Sequence, residues 1–321
     1  MKGVSAVPVP PETVKVLQSA GILSTLTNTR STVVFSYSGL DFAFKTALYA
    51  PVQPGGIPAV SISETDQGLK IASPPLTGIL LEMVLQYMGE SQVCMVDVDI
   101  TLSLRETAVL FAFLDAGRRA LLKGLLEGSG LDQPPALDFS DVLYAGQFQD
   151  TNLQWFTPYF MEIAEEAPLQ QTDIDRAVPV LEQKGLLSSK SGQLRPSPDL
   201  LRLMISFLLV ESYSRIQAAQ GTRVEDLQNM DIWAVQGRNH ALLSWTMDES
   251  SVTLKGLSPA QWLLLLSDML DKPEGIFEGA ESAGGAANSA IPVADASRIC
   301  PGCSSPIPDG KKFCTTCGYK F

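Results

Sequence analysis

Four cysteines, Cys300, Cys303, Cys314 and Cys317, stand in the closing stretch RICPGCSSPIPDGKKFCTTCGYKF as two C-x-x-C pairs separated by ten residues. Each pair sets two thiolates on one tight turn. Folding the stretch between them as a hairpin brings the pairs together as a tetrahedral four-sulfur site, a geometry that suits zinc. Pro308, Asp309 and Gly310 provide turn chemistry between the pairs, and Gly318 suits the left-handed backbone that often follows such a turn. A redox pair or a disulfide is the alternative for any single C-x-x-C, but no thioredoxin-like context surrounds these. Four thiolates close the coordination shell and leave no position for water or substrate, so the expected ion is a single structural zinc.

Residues 298–321 resemble the short zinc-ribbon modules that begin or end many bacterial and archaeal proteins. The departure from that pattern is Ser304, where the family often has glycine. The resemblance implies a small independent fold and says nothing of a reaction.

Elsewhere the residues able to do chemistry are sparse. His240 is the sole histidine and lies in an expected hairpin turn beside Arg238. With one histidine and no G-x-S-x-G, a Ser-His-Asp arrangement has little to build on. There is no Walker A or G-x-G-x-x-G sequence, and Gly55-Gly56 after Pro54 reads as a loop. Asp97 and Asp99, two residues apart on one expected strand face, could hold a divalent cation or act as paired carboxylates, but a solvated face explains them as well. Asp115, Arg118 and Arg119 read as an ion-paired helix face, and Trp155, Trp233, Trp245 and Trp262 as core or interface anchors. Cys94, the cysteine outside the tail, sits in the apolar run VCMVDV and reads as a buried strand thiol.

Charge narrows the partners. Arg298, Lys311, Lys312 and Lys320 against Asp309 give the tail +3 of a net −12, which leaves −15 on residues 1–297. An acidic body repels phosphate backbones and anionic membrane surfaces. The thiols a zinc site needs imply a reducing compartment. The opening MKGVSAVPVPPETV has no continuous apolar core of a signal peptide, and the apolar runs near Leu200–Val210 and Trp262–Leu266 are too short to span a bilayer. The expectation is a cytoplasmic protein with no membrane span. The hydrophobic share of 45% is enough for a substantial core.

The elements that would position these residues follow from local pattern. A Pro-rich lead precedes a short helix over Thr13–Ala20. Val33–Tyr37 and Phe42–Phe44 read as strands about Gly39, and Val60–Ile62 with Leu69–Ile71 as a hairpin. Thr77–Met88 reads as an amphipathic helix ended by Gly89, and Val93–Leu102 as a strand. Ser103-Leu-Arg-Glu106 is a capping-box sequence, which starts a helix that runs to about Leu126 before Gly128 and Gly130. Helices are expected over Phe139–Gln149 and Leu153–Ala167. Later, Ile232–Val235 and Ala241–Trp245 form a hairpin, followed by a Val252–Leu254 strand and a second box at Ser258 and Gln261. The two strand-plus-capped-helix units raise the question of an internal duplication.

Between these halves, Thr172–Gly185, a polar hairpin to Pro196 and a helix from Pro198 resemble the recognition helix and wing of winged-helix domains. Asp173, Asp175 and Glu182 deprive that helix of the Lys/Arg excess a DNA reader needs, and Pro179 is expected to kink it. A packing role is therefore preferred.

The expected architecture is an α+β fold. Residues 1–170 form an α+β domain, 171–216 a winged-helix-like module, and 217–271 a hairpin and helix that complete the body. Residues 272–297 are a Gly/Ala/Ser linker with an r.m.s. reach of about 25–30 Å, and 298–321 the zinc ribbon. The expected function is a non-catalytic interaction or adaptor protein whose ribbon contacts a protein partner. A nucleic-acid-binding transcriptional regulator using the module and the basic ribbon is the first alternative, and an enzyme with an unrecognised site in the body the second.

Overall fold

The structure, a computed structural model, describes residues 22–27, 29–40, 42–51, 59–65, 68–73, 75, 77–131, 133–148, 154–221 and 227–271. The chain divides into two units, Met1–Ile276 and Phe277–Phe321. The helix expected over Thr13–Ala20, the linker and the four tail cysteines lie outside the described residues.

The first unit is an α+β fold built on one nine-stranded sheet. Four strands, β1 (Thr29–Gly39), β2 (Ala43–Pro51), β3 (Val60–Thr65) and β4 (Gly68–Ala72), form an antiparallel meander. A second meander comprises β9 (Val210–Gln220), β10 (Gln228–Gly237), β11 (Leu242–Met247) and β12 (Ser251–Leu257). The meanders join through their first strands, β1 against β9, with Phe35 opposite Ile216 and Tyr37 opposite Ser214. A short strand, β5 (Asp99–Ser103), adds to β12, so the order is β4-β3-β2-β1-β9-β10-β11-β12-β5.

Each meander is followed by a helix, α2 (Thr77–Met88) after the first and α8 (Pro259–Asp271) after the second. The short α1 (Ile22–Thr27) precedes β1. Both α2 and α8 cover one face of the sheet. There Val33, Phe35, Leu48, Ile216, Ile232 and Leu242 meet Leu80, Val84, Trp262 and Leu266 in one core. The alternate residues Tyr213, Trp233, Val235, Leu243, Trp245 and Leu254 face a helical layer in a second core. That layer comprises α3 (Leu104–Leu126), α4 (Phe139–Gln147), α5 (Phe156–Ile163), α6 (Gln171–Gln183) and α7 (Pro198–Ser206). A small sheet, ordered β6 (Leu137–Asp138), β8 (Gln193–Pro196), β7 (Leu187–Lys190), lies within it.

The repeat that the topology displays is therefore meander-plus-helix. The two strand-plus-capped-helix units noted in the sequence, β5–α3 and β12–α8, are neighbours in the sheet, but their helices belong to different cores. Residues 210–216, grouped in the sequence with the winged-helix-like stretch, are instead the start of β9 at the middle of the sheet.

Both capping boxes form. Ser103 N donates to Glu106 Oε2 at 2.8 Å and Glu106 N to Ser103 Oγ at 3.3 Å. Ser258 N donates to Gln261 Oε1 at 2.8 Å and Gln261 N to Ser258 Oγ at 3.2 Å. Helix α6 passes through Pro179 without a break. Pro179 is exposed, so the carbonyl it leaves unbonded can be hydrated.

The strand expected over Val93–Leu102 starts only at Asp99, and Cys94 is exposed rather than buried. Its Sγ donates to the carbonyl of Val96 at 3.0 Å. Between Val93 and Val98, Val96 alone is buried, with its backbone pressed onto β12 at Gly256. A Cβ at Gly256 would overlap the Val96 carbonyl oxygen, so glycine is what admits the crossing chain. Among the described residues, no helix is long and apolar enough to cross a membrane.

Candidate docking groove

The β1–β2 turn sets one end of a groove. Gly39 N donates to Phe42 O at 2.8 Å, closing the turn, and a Cβ at Gly39 would stand 2.9 Å from Tyr37 Oη. Glycine thus lets the Tyr37 ring lie back over the turn. Tyr37, Phe42, Phe44 and Tyr87 then form a connected aromatic cluster. Phe42 stacks on Tyr87 at 4.9 Å between centroids, Tyr37 on Phe44 at 5.6 Å, and Tyr37 meets Tyr87 at 5.5 Å.

Helix α2 forms the opposite wall, and its position is fixed at its C-terminus. Gly89, at φ +82°, turns the chain and donates to Leu85 O at 2.9 Å. The carbonyl of Met88, left free at the helix end, accepts from Gln236 Nε2 at 3.2 Å and lies 3.2 Å from His240 Nδ1. Gln236 in turn accepts from Ser212 Oγ at 3.2 Å. Burial raises the Tyr37 phenol, and its hydrogen bond with Ser212 opposes that rise. A buried polar chain from β1 through β9 and β10 therefore holds the last turn of α2 to the centre of the sheet.

Between this helix and the first meander lies a half-open cavity of about 580 Å³. Its floor includes Phe44, Thr46 and Ser63, with Thr46 Oγ1 and Ser63 Oγ 3.0 Å apart. Ile79, Leu80 and Met83 supply the helix wall, and Lys45, Glu64 and Lys70 the polar contribution. Around it apolar side chains remain open: Phe42 is 37% exposed, Ile79 50% and Tyr87 39%. Covering these three would contribute on the order of 3 kcal/mol before the entropy of association. The volume is within the range of a ligand or side-chain binding cleft.

The residues singled out in the sequence are dispersed. His240 is an exposed turn residue that, with Asn239, adopts positive φ. Asp97 and Asp99 are both exposed, and Asp99 lies 3.8 Å from Lys255. Trp233, Trp245 and Trp262 are buried core residues. Cys300, Cys303, Cys314 and Cys317 lie outside the described residues. Among the described residues, no group of three or more His, Cys, Asp or Glu side chains could hold a metal ion.

Asp115 and Arg118 form a buried pair at 2.9 Å, not a surface ion pair. Asp115 also accepts from Phe156 N at 3.2 Å and from Thr157 N and Oγ1, each at 2.8 Å. The carboxylate of α3 thereby caps α5, whose own N-cap residue, Trp155, contributes no side-chain cap. Burial pushes the Asp115 carboxyl up and the Arg118 guanidinium down, while their mutual attraction opposes both shifts. Arg119 is separate from this pair, its guanidinium 4.3 Å from the Trp155 ring, 4.6 Å from Phe148 and 5.2 Å from Tyr144. These are packing arrangements.

The groove itself was not anticipated from sequence. Its signal is α2, TGILLEMVLQYM, which has only Glu82 and Gln86 as charged or amide side chains and so is apolar on more than its buried face.

No family model matches the chain, and no curated protein matches it. Among solved structures, it is similar to a chain in the structure of the Mycobacterium tuberculosis type VII secretion system chaperone EspG5 in complex with the PE25–PPE41 dimer. The identity is 11% over 82% of this chain and 86% of that one, with a TM-score of 0.38. A likeness of that strength carries no argument here.

Proposed function

We propose that the protein is a non-catalytic interaction or adaptor protein whose groove between α2 and the first meander docks a protein partner. The observation that carries this reading is the partly exposed set of Phe42, Ile79 and Tyr87 around a 580 Å³ cleft. Contiguous apolar surface of this kind, rimmed by polar residues, marks interaction sites. In the same reading the thiolates of Cys300, Cys303, Cys314 and Cys317 hold one structural zinc ion. The ion fixes a small basic tail, with Lys311, Lys312, Phe313 and Tyr319 as a second contact. The donor set of four thiolates suits zinc.

The nucleic-acid reading has one observation in its favour, the α6 helix and β7–β8 hairpin, where Lys190 and Arg195 are exposed. The acidic residues of α6 have structural partners, however. Asp173 is 3.8 Å from Arg105, and Glu182 accepts from the Ser189 amide at the hairpin. These contacts support α6 as a packing element.

The test is retention of proteins from native lysate by the full chain, by Phe42→Ser/Ile79→Ser and by Cys300→Ser. A partner held by the wild type and lost by the groove variant is the expected result. Equal retention by all three, or retention of nucleic acid by the wild type at physiological salt, would overturn the reading.

A further inference from the structure

The groove continues to a sheet edge. Among the described residues, β4 is the terminal strand of the nine-stranded sheet and its one strand partner is β3. Lys70 of β4 lines the groove, opposite Ser63 in the β3–β4 register. On either side of Lys70, Leu69 is 70% exposed and Ile71 half-buried. The other edge of the sheet is different. β5 begins at Asp99, just after the exposed Asp97, and its Thr101 and Ser103 are exposed polar residues. That edge has the charged and polar character that discourages strand pairing, whereas the β4 edge presents apolar side chains beside a binding cleft.

We propose, on the docking reading above, that the β4 edge accepts an extended segment of a partner protein as an additional antiparallel or parallel strand. Main-chain hydrogen bonds to β4 hold the segment, and alternate side chains on one of its faces point toward the groove, as in other strand-addition modes. Apolar residues at those positions extend over the groove beside Lys70, toward Ile79. Those on the other face cover Leu69.

Charge identifies the chemistry of the segment. Among the described residues neither Lys45 nor Lys70 has a carboxylate partner, although residues 1–297 carry −15 overall. An acidic side chain beside Lys70 supplies the missing counter-ion. A second copy of this chain is a poorer occupant, because pairing two β4 edges would bring Lys70 near its own counterpart and add two acidic bodies together. The occupant is therefore an alternating apolar segment that contains Asp or Glu.

The experiment begins with a phage-displayed library of linear peptides of about ten residues, long enough to exceed a typical strand, panned on the full-length protein. An enriched peptide is then synthesised in two forms, N-methylated at odd or at even positions, and binding is measured by fluorescence anisotropy. A strand at an edge directs alternate amides to the protein, so one form should lose about tenfold or more in affinity and the other should bind nearly as well as the parent. Enriched peptides should contain Asp or Glu, and Lys70→Glu should weaken them by about tenfold.

Equal tolerance of both N-methylated forms, with binding still lost on Phe42→Ser, would overturn strand addition and leave groove docking standing. Enriched peptides indifferent to Phe42→Ser, or no enrichment at all, would overturn both. A dimer seen by sedimentation that is dispersed by the peptide and unaffected by Lys70→Glu would assign the edge to a second copy and overturn the acidic segment as occupant.

Discussion

Asp115→Ala and Arg118→Met should destabilise the protein unequally, although they remove the two halves of one buried ion pair. Asp115 accepts four hydrogen bonds, from Arg118 Nη1, Phe156 N, Thr157 N and Thr157 Oγ1. Its removal leaves a guanidinium buried without an anion and uncaps α5. Breaking a buried pair from this side costs about 3–5 kcal/mol. Arg118→Met removes one of the four donors and leaves the carboxylate with the other three. The guanidinium Nε has no hydrogen-bond partner to lose, so the cost is about 1–3 kcal/mol.

The double replacement Asp115→Leu/Arg118→Met removes both charges together, and its main residual cost is the α5 cap, about 1–2 kcal/mol. Urea unfolding followed by circular dichroism measures all three. The order expected is Asp115→Ala most destabilised, with the double variant recovering part of the loss. The asymmetry between the single variants should appear as a difference in Tm of several degrees, since about 1 kcal/mol moves Tm by roughly 2–4 °C at this size. If Arg118→Met is as damaging as Asp115→Ala, or the double variant is worse than either, the capping account of this pair is wrong.

Gly256→Ala should cost about 1–3 kcal/mol, because its Cβ meets the Val96 carbonyl, and urea unfolding will show it; a neutral result would mean that the crossing chain is not pressed onto β12. Burial raises the Tyr159 phenol from 10.0 to about 12. A folded-state value above the unfolded one makes the neutral phenol a source of stability that is complete below pH 10 and is lost as pH rises toward 12. The loss is about 2 kcal/mol, so Tyr159→Phe should flatten the unfolding free energy over that interval relative to the wild type. Metal analysis of the purified chain should find about one zinc per molecule, and Cys300→Ser or Cys317→Ser should lose it; full zinc after replacement of all four cysteines would refute the site.

Much of the fold was legible where the signal is local. Ser103-Leu-Arg-Glu106 and Ser258-Pro-Ala-Gln261 announce helix starts because both halves of each box lie within one turn. Gly89 and Gly128 mark helix ends at positive φ. The strand β9, VESYSRIQAAQ, was not legible, although it is the second partner of β1 at the middle of the sheet. Its Ser212, Ser214 and Gln220 are buried polar residues, and its charged Arg215 is held by Asp231 and the Trp233 ring, so no apolar alternation reveals it. Cys94 misled in the opposite direction, since an apolar run suggested a strand where Val96 alone is buried and Cys94 is exposed. The groove required contacts that sequence spacing does not encode, chiefly the Phe42–Tyr87 stack and the hold of Gln236 on Met88. Asp115 likewise shows its role only beside residues 156 and 157.

A protein partner proposed to occupy the cleft beside Phe42 can be trapped in place. The direct measurement is photo-crosslinking of the full-length chain with benzoylphenylalanine in place of Phe42, Tyr87 or, as a control on another surface, Tyr144. Tyr144 is 63% exposed and more accessible than either groove residue, so unselective capture should favour it. After irradiation in native lysate, the account predicts the same discrete protein adduct from positions 42 and 87, abolished by Ile79→Ser, and no such adduct from position 144. Adducts of equal yield at all three positions, or none at 42 and 87, would contradict it.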